Sequence, residues 1–225
     1  MAYKITPSLY YSWLFYTKPL FDRTDEQEVE ARAEFMDTLR KVHKPDTPEQ
    51  ERGHIFENTI EYIATGKCNP QYSTLCDKMK EYGIRYFTTD SEKDPETYCA
   101  KEIAYMCRDG VFQEKDGREL PSGNYIYGVA DCILPTTIFD FKRVSAYEMG
   151  KYQQSIQHLA YMYIWDSKRF DYLICDGSAE PFDEVYTWDD NSLALLESRI
   201  ALMVSSICGD PELRALFDEH WRYKK

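Results

Sequence analysis

Basic residues are the first scarcity: 27 Lys and Arg stand against 39 Asp and Glu, a formal charge of −12 over 225 residues. A broad basic coat, the usual footprint of a nucleic-acid partner, is therefore excluded. What stays open to such a partner is a narrow groove, where local Lys and Arg with bound divalent cations hold a phosphate backbone. The seven cysteines (Cys68, Cys76, Cys99, Cys107, Cys132, Cys175 and Cys208) are an odd set with no CxxC pair and no clustered histidines. That spacing fits neither a disulfide framework, nor a zinc ribbon, nor an iron–sulfur site. They read as free thiols in a reducing compartment, with Cys107, Cys132, Cys175 and Cys208 as small core residues beside apolar runs. No run approaches the roughly 18 apolar residues of a membrane span, and MAYKITPSLYYSW has neither a signal-peptide apolar region nor a small-residue cleavage site. The expectation is a cytoplasmic protein with no membrane partner. No Walker-type or Gly-rich phosphate cradle occurs, nor any repeat, low-complexity tract or linker.

What is present is apolar and aromatic: 43% hydrophobic residues, 15% aromatics and 19 tyrosines, which excludes a disordered chain. The length suits one domain over residues 1–225 with a sizeable core.

Residues 3–16 open on a Thr6-Pro7-Ser8 helix-entry signal and continue as an aromatic helix. Asp22 to Lys44 is charged and helix-favouring, with an imperfect stripe of Val29, Ala33, Phe35, Met36 and Leu39, ended by Pro45-Asp46-Thr47-Pro48. Thr47 to Gln50 starts another helix, running through GHIFENTIEYIATG to Gly66. Thr74–Phe87 and Pro95–Cys107 predict two shorter helices. The period then changes. VFQE, a turn at Lys115-Asp116-Gly117, a second at Pro121-Ser122-Gly123, NYIYGVADCIL and TIFDFKRV predict a three-strand meander. A helix from about Ala146 to Trp165 follows, then strands FDYLICDG and DEVYTW, and a helical close from Ser192 to Tyr223 broken near Gly209-Asp210-Pro211. This order predicts an α/β fold, a sheet flanked by helices.

Gly128 to Lys142 is the most chemically informative stretch. Thr137, Ile138, Phe139, Phe141 and Val144 favour a buried strand. Side chains two apart share a face, so Asp140 and Lys142 point one way while Phe139, Phe141 and Arg143 take the other. Asp131 lies in the preceding apolar segment, and the Pro135-Thr136 break permits an antiparallel return that brings a second carboxylate to the same spot.

Phosphodiester hydrolysis needs an activated water and stabilisation of charge on phosphate, most of which a divalent cation supplies. Mg²⁺ or Mn²⁺ prefers hard oxygen ligands, and Asp131, Asp140 and the Phe141 carbonyl fit that preference. Lys142 beside them is placed to hold the attacking water or to steady transition-state charge. A third carboxylate is expected from the helix holding Gly53, where glycine allows close approach. Glu57 is the choice, with His54 and Glu61 within a turn of it. Gln153, Gln157 and Tyr161, at i, i+4 and i+8, fall on one side of the helix after the lysine strand, where they contact phosphate or orient a water.

Gly128-Val129-Ala130-Asp131, then Asp140-Phe141-Lys142, then Gln157-His158-Leu159-Ala160-Tyr161 resemble, in order, the motifs of the PD-(D/E)XK nuclease superfamily. The likeness is to its RecB-like and lambda-exonuclease-like branches, the last piece matching QxxxY. ITPSLYYSWLFY is similar to the S-x-S-x-L opening of RecB-like nuclease domains, and Gly53-xxx-Glu57 stands where many relatives have Gly-xxx-His. Together these span residues 5–165. The resemblance implies an α+β, restriction-endonuclease-like core. It implies a Mg²⁺- or Mn²⁺-dependent deoxyribonuclease, leaning to exonuclease, in DNA repair, recombination or phage or mobile-element DNA processing. DNA is the implied partner, with a recombination or single-strand-binding protein and an oligomer as further options. Glu57 in place of histidine implies an all-oxygen metal site, as in exonuclease-like members. The cluster-binding cysteines of some relatives are unmatched, so no iron–sulfur cluster is expected.

Two other readings stand beside this one. The first is a nuclease-fold protein that no longer cuts and binds nucleic acid or a protein partner, which the acidic charge favours and the Asp131, Asp140 and Lys142 set opposes. The second is a metal-dependent hydrolase of another phosphate ester. By default Arg143 and Lys151 are solvated charges that become phosphate contacts if a groove exists. The acidic segment from Asp176 to Asp190 is a solubility feature or a partner surface.

Overall fold

The computed structural model describes residues 1–17, 23–67 and 95–224. The helix expected over Thr74–Phe87, like Cys68 and Cys76, lies outside them. The fold is mixed α/β, a central mixed sheet of six strands flanked by helices. In chain order the elements are β1 (Lys4–Ile5), α1 (Pro7–Thr17), α2 (Asp25–Leu39), α3 (Pro48–Thr65) and α4 (Pro95–Met106). The meander follows as β2 (Val111–Glu119), β3 (Tyr125–Ile133) and β4 (Ile138–Arg143), and then α5 (Gln157–Ile164), β5 (Arg169–Cys175), β6 (Phe182–Thr187), α6 (Ser192–Gly209) and α7 (Pro211–His220).

β3 organises the sheet. One edge of it pairs with antiparallel β2 from Tyr125 to Ile133. Its other edge is shared: parallel β1 takes Tyr125 and Ile126, and antiparallel β4 takes only Cys132 (opposite Phe139) and Ile133 (opposite Ile138). Beyond that point β3 and β4 part, with Asp131 and Asp140 at the next positions. β4 continues in parallel register with β5, and β5 pairs antiparallel with β6.

The two faces carry separate apolar clusters. Ile138, Phe170, Tyr172 and Ile174 pack with Leu9 of α1, Leu159 of α5 and Ile200 of α6 on one side. Phe139, Phe141, Leu173 and Cys175 pack with Phe56 of α3 and Ile103 of α4 on the other. Among the described residues, α6 is the one helix long and apolar enough to cross a membrane, with mean hydropathy 1.4. Its buried Leu196, Ile200, Met203 and Ile207 form one stripe on the sheet cluster, while Leu195 and Leu202 on its other faces are exposed.

Several expectations are corrected. Lys115-Asp116-Gly117 is no turn but the middle of β2, paired with Val129, Gly128 and Tyr127. The glycine serves close approach, since a Cβ there would lie 2.5 Å from the Tyr125 hydroxyl. The helix entry at Thr6-Pro7-Ser8 stands, with α1 starting at Pro7, and the residues before it add a short strand: Tyr3 and β1 are drawn onto β3, with Tyr125 N–H donating to the Tyr3 carbonyl at 2.9 Å. α2 stops at Leu39, well before the prolines, where Lys41 turns left-handed at φ 58°. Val29 and Ala33 stay outside its buried stripe, which uses Ala31 instead. The expected helix over 146–165 is only α5. Gly150 at φ 84° interrupts its first half, and Ser155 Oγ accepts from Gln157 N–H at 3.0 Å to start it late. Gln153 therefore sits in an exposed turn and shares no helix face with Gln157 and Tyr161. Cys99 joins Cys107, Cys132 and Cys175 in the core, whereas Cys208 is only half-buried.

α3 starts where the sequence places it. Thr47 Oγ1 accepts from Gln50 N–H at 3.3 Å and Gln50 Oε1 accepts from Thr47 N–H at 2.8 Å, a complete capping box, and Gly66 closes the helix at φ 71°. Thr47→Ala removes one of these bonds and is expected to cost about 1 kcal/mol. Urea unfolding checks this: the midpoint falls with the slope unchanged, and an unchanged midpoint would contradict the cap's role.

Candidate active site

Where β3 and β4 part, backbone groups that a ladder would have paired need other partners. Two side chains supply them. Asp131 Oδ2 accepts from the Phe141 N–H at 2.8 Å, and the Tyr161 hydroxyl donates to the Val129 carbonyl at 2.8 Å. Tyr161 reaches that carbonyl because Gly128 lets its ring lie on the strand: a Cβ at Gly128 would stand 2.3 Å from Tyr161 Cε1. Side-chain alternation on β3 also breaks here. Ala130 belongs to the cluster of α5 and α6, and Cys132, two residues on, to that of α3 and α4. Gln113, the residue of β2 opposite Asp131, is left-handed at φ 54°.

On β4, Asp140 and Lys142 share the face of Tyr172 and Ile174, their partners in register. Phe139 and Phe141 take the other face, as alternation requires. Asp140 is 2% exposed and forms an ion pair with the Lys142 ammonium. Its Oδ1 accepts from Gln157 Nε2 at 2.5 Å. The Tyr172 hydroxyl donates to Gln157 Oε1 at 3.4 Å, which fixes the amide so that its nitrogen faces Asp140. Tyr172 was not anticipated from sequence. Its one signal is a hydroxyl-bearing ring in the largely apolar strand FDYLICDG, and the structure sets it opposite Asp140 in register.

The charges act on one another strongly. Burial raises the Asp131 carboxyl well above the usual carboxylate range, and the Asp140 and Glu57 charges push it further. Asp140 is also raised by burial, with Lys142 opposing and Glu57 adding to the shift. Burial disfavours the charge on Lys142, but Asp140, Asp131 and Glu57 outweigh it and hold the ammonium well above the usual lysine range. Lys142 is thus a firm cation.

Glu57 reaches these groups as a charge. α3 packs against the Phe139 and Phe141 face, and the Glu57 carboxylate meets His54 Nδ1 at 3.5 Å, while His54 Nε2 lies 3.6 Å from Asp46. The Glu57 interaction leads in raising the His54 pKa; burial raises that of Glu61. Gly53 does not serve close approach: among the described residues nothing lies within 4 Å of a Cβ built there. Arg143 is not a solvated charge either, since its Nε lies 2.8 Å from Glu96 Oε1. Lys151 is exposed.

A hard cation fits part of this set. Asp140 Oδ2 is buried and accepts no well-directed hydrogen bond, although Lys142 lies against it. Asp131 and the Phe141 carbonyl are the adjacent oxygen donors, of the type Mg²⁺ and Mn²⁺ prefer. Among the described residues, no group of three or more His, Cys, Asp and Glu side chains closes into a metal site. The Lys142 ammonium stands against Asp140 there.

No protein-family model matches the chain, and no curated protein matches it. Solved structures do. The alkaline exonuclease LHK-Exo from Laribacter hongkongensis is 12% identical, over 96% of this chain and 90% of that one, with a TM-score of 0.46. LHK-Exo in complex with dAMP gives 14% over the same shares and 0.48. A provisionally named exonuclease from Eubacterium rectale gives 16%, over 99% of this chain and 90% of that one, and 0.46. The activities named are those proteins' own.

Gly128→Ala is expected to cost about 1–3 kcal/mol, because the buried Tyr161 ring has nowhere to move; chemical denaturation measures it. Asp131→Asn keeps an oxygen for Phe141 N–H and removes a carboxylate whose folded pKa is raised. In metal-free buffer it is expected to be more stable than wild type at pH 7. Because the raised pKa penalises folding only where the acid ionises, the gain shrinks as pH falls through that raised value. It vanishes below the unfolded value near 3.8. Melting curves from pH 3 to 8 test this, and a gain that grows toward acid would contradict it.

Proposed function

We propose that this protein is a divalent-metal-dependent DNA nuclease, of the PD-(D/E)XK kind its motifs resemble, with Asp131, Asp140 and Lys142 at its centre. The observation that carries the reading is the meeting of these three groups where β3 and β4 part, with one Asp140 oxygen held by Gln157 and the other paired with the Lys142 ammonium. The single domain over residues 1–225 that the length suits is part of the same proposal, as are the lean toward exonuclease and the setting in repair, recombination or phage or mobile-element DNA processing.

In this reading Asp131, Asp140 and the Phe141 carbonyl hold Mg²⁺ or Mn²⁺, with Glu57 adding negative charge. The cation, when bound, supplies a more acidic water and neutralises charge on the phosphate. The Lys142 ammonium, paired with Asp140, orients the attacking water or binds a non-bridging phosphate oxygen. Gln157 keeps the Asp140 oxygens turned toward the site, and Tyr161 acts one step back by holding β3 through the Val129 carbonyl. Both are positioning residues.

The test is cleavage of end-labelled linear and closed circular DNA with Mn²⁺, Mg²⁺ or EDTA. Metal-dependent loss of linear DNA is expected, with Asp140→Asn and Lys142→Met each slowing it about a hundredfold or more. Sparing of the circle indicates exonuclease. If the folded protein cuts neither substrate under any metal, yet Mn²⁺ still raises its melting temperature, the non-cutting reading replaces this one.

A further inference from the structure

The segment between Lys142 and Gln157 places an aromatic ring beside the candidate site. Tyr152 stacks on Tyr172 with centroids 4.4 Å apart and planes 25° from parallel. Tyr172 in turn bonds Gln157 and has the Lys142 ammonium 5.8 Å from its ring centre. One ring therefore separates Tyr152 from the lysine. Tyr172 is fully buried, whereas Tyr152 is only half-buried and Tyr11 of α1 is 66% exposed. The Tyr11 hydroxyl lies close enough to act electrostatically on that of Tyr152. The exposed Lys151 has its ammonium 6.0 Å from the Tyr152 ring.

The segment is held in place. The Tyr147 hydroxyl donates to Glu184 Oε2 at 2.6 Å, Tyr186 donates to the other oxygen, and Tyr147 packs on Phe182 at 5.1 Å. Glu184, counted by sequence within a soluble acidic stretch, is 7% exposed and ties this segment to β6. A platform fixed in advance loses little freedom when a ligand arrives.

Charge makes such a platform useful. A chain of net charge −12 gains little from phosphate contacts, whose strength depends on releasing counterions to Lys and Arg. Stacking of a base on an aromatic ring needs no charge and tolerates every base. We propose that Tyr152, with Tyr11 beside it and Lys151 at its edge, is a stacking subsite for an unpaired nucleobase next to the phosphate at Asp140 and Lys142. The protein then engages single-stranded ends. This rests on the nuclease reading and names its substrate class.

The test is fluorescence anisotropy of a labelled single-stranded deoxyoligonucleotide in Ca²⁺, beside the same strand with two abasic terminal positions. Cleavage with Mn²⁺ is followed in parallel. Tyr152→Leu is expected to weaken binding of the intact strand about tenfold, with Tyr11→Ala weakening it less and Tyr152→Trp retaining affinity. Wild type is expected to bind the abasic strand about tenfold more weakly, with no further loss in Tyr152→Leu. Abasic ends bound as well as intact ones by wild type would overturn the proposal even if Tyr152→Leu failed to fold. Wild type that cuts DNA but is indifferent to both changes refutes the platform alone. Wild type that neither binds nor cuts any DNA refutes the nuclease reading, and the platform with it.

Discussion

The structure turns on the early parting of β3 and β4. Two residue pairs join them, Cys132 with Phe139 and Ile133 with Ile138, and the ladder then stops. An open ladder leaves polar backbone groups that must be satisfied, and each side chain recruited for this also belongs to the site. Asp131 satisfies the Phe141 N–H, which draws its carboxylate up to Asp140. Tyr161 satisfies the Val129 carbonyl, which locks α5 onto β3 and sets Gln157, one turn earlier, against Asp140. Gly128 makes room for the Tyr161 ring on β3 at that point.

Electrostatics follows from that geometry. Burial raises the pKa of both Asp131 and Asp140, the Asp140 and Glu57 charges push Asp131 further and Glu57 adds to Asp140, an unfavourable arrangement that Lys142 only partly offsets. Such stored repulsion is common at functional sites and is relieved when a cation arrives. The acidic chain and the nuclease reading are then compatible. In the proposed reading, affinity for phosphate would come through a bound cation at one point, and affinity for the rest of the strand through aromatic rings, so no basic coat is required.

Much of this was legible from spacing alone. Two-residue periodicity put Asp140 and Lys142 on one face, and the Pro135-Thr136 break fixed the hairpin that returns Asp131 to them. Thr47, Gln50 and Gly66 marked α3 because capping is a local interaction. What stayed hidden depended on distant partners. Gly117 reads as a turn until Tyr125 covers it. Gly150 reads as tolerable within a helix until its positive φ shows that the chain must turn there to lay Tyr152 on Tyr172. Glu184 looks solvated until Tyr147 and Tyr186 close on it. Glu57 shows the limit from the other side: periodicity and motif placed it near the site, and packing of α3 brings its charge to bear on Asp131, Asp140 and Lys142 while its carboxylate meets His54.

The central claim is that this buried, self-repelling set of oxygens exists to take a divalent cation. The most direct measurement is calorimetric titration of Mn²⁺ into the protein at a series of pH values from 5 to 8. The account predicts saturable binding that weakens toward acid, because protons compete with the cation for carboxyls whose pKa is raised. It also predicts that binding is lost in a folded Asp131→Asn/Asp140→Asn double variant. No binding by wild type, or binding undiminished in the double variant, would contradict it.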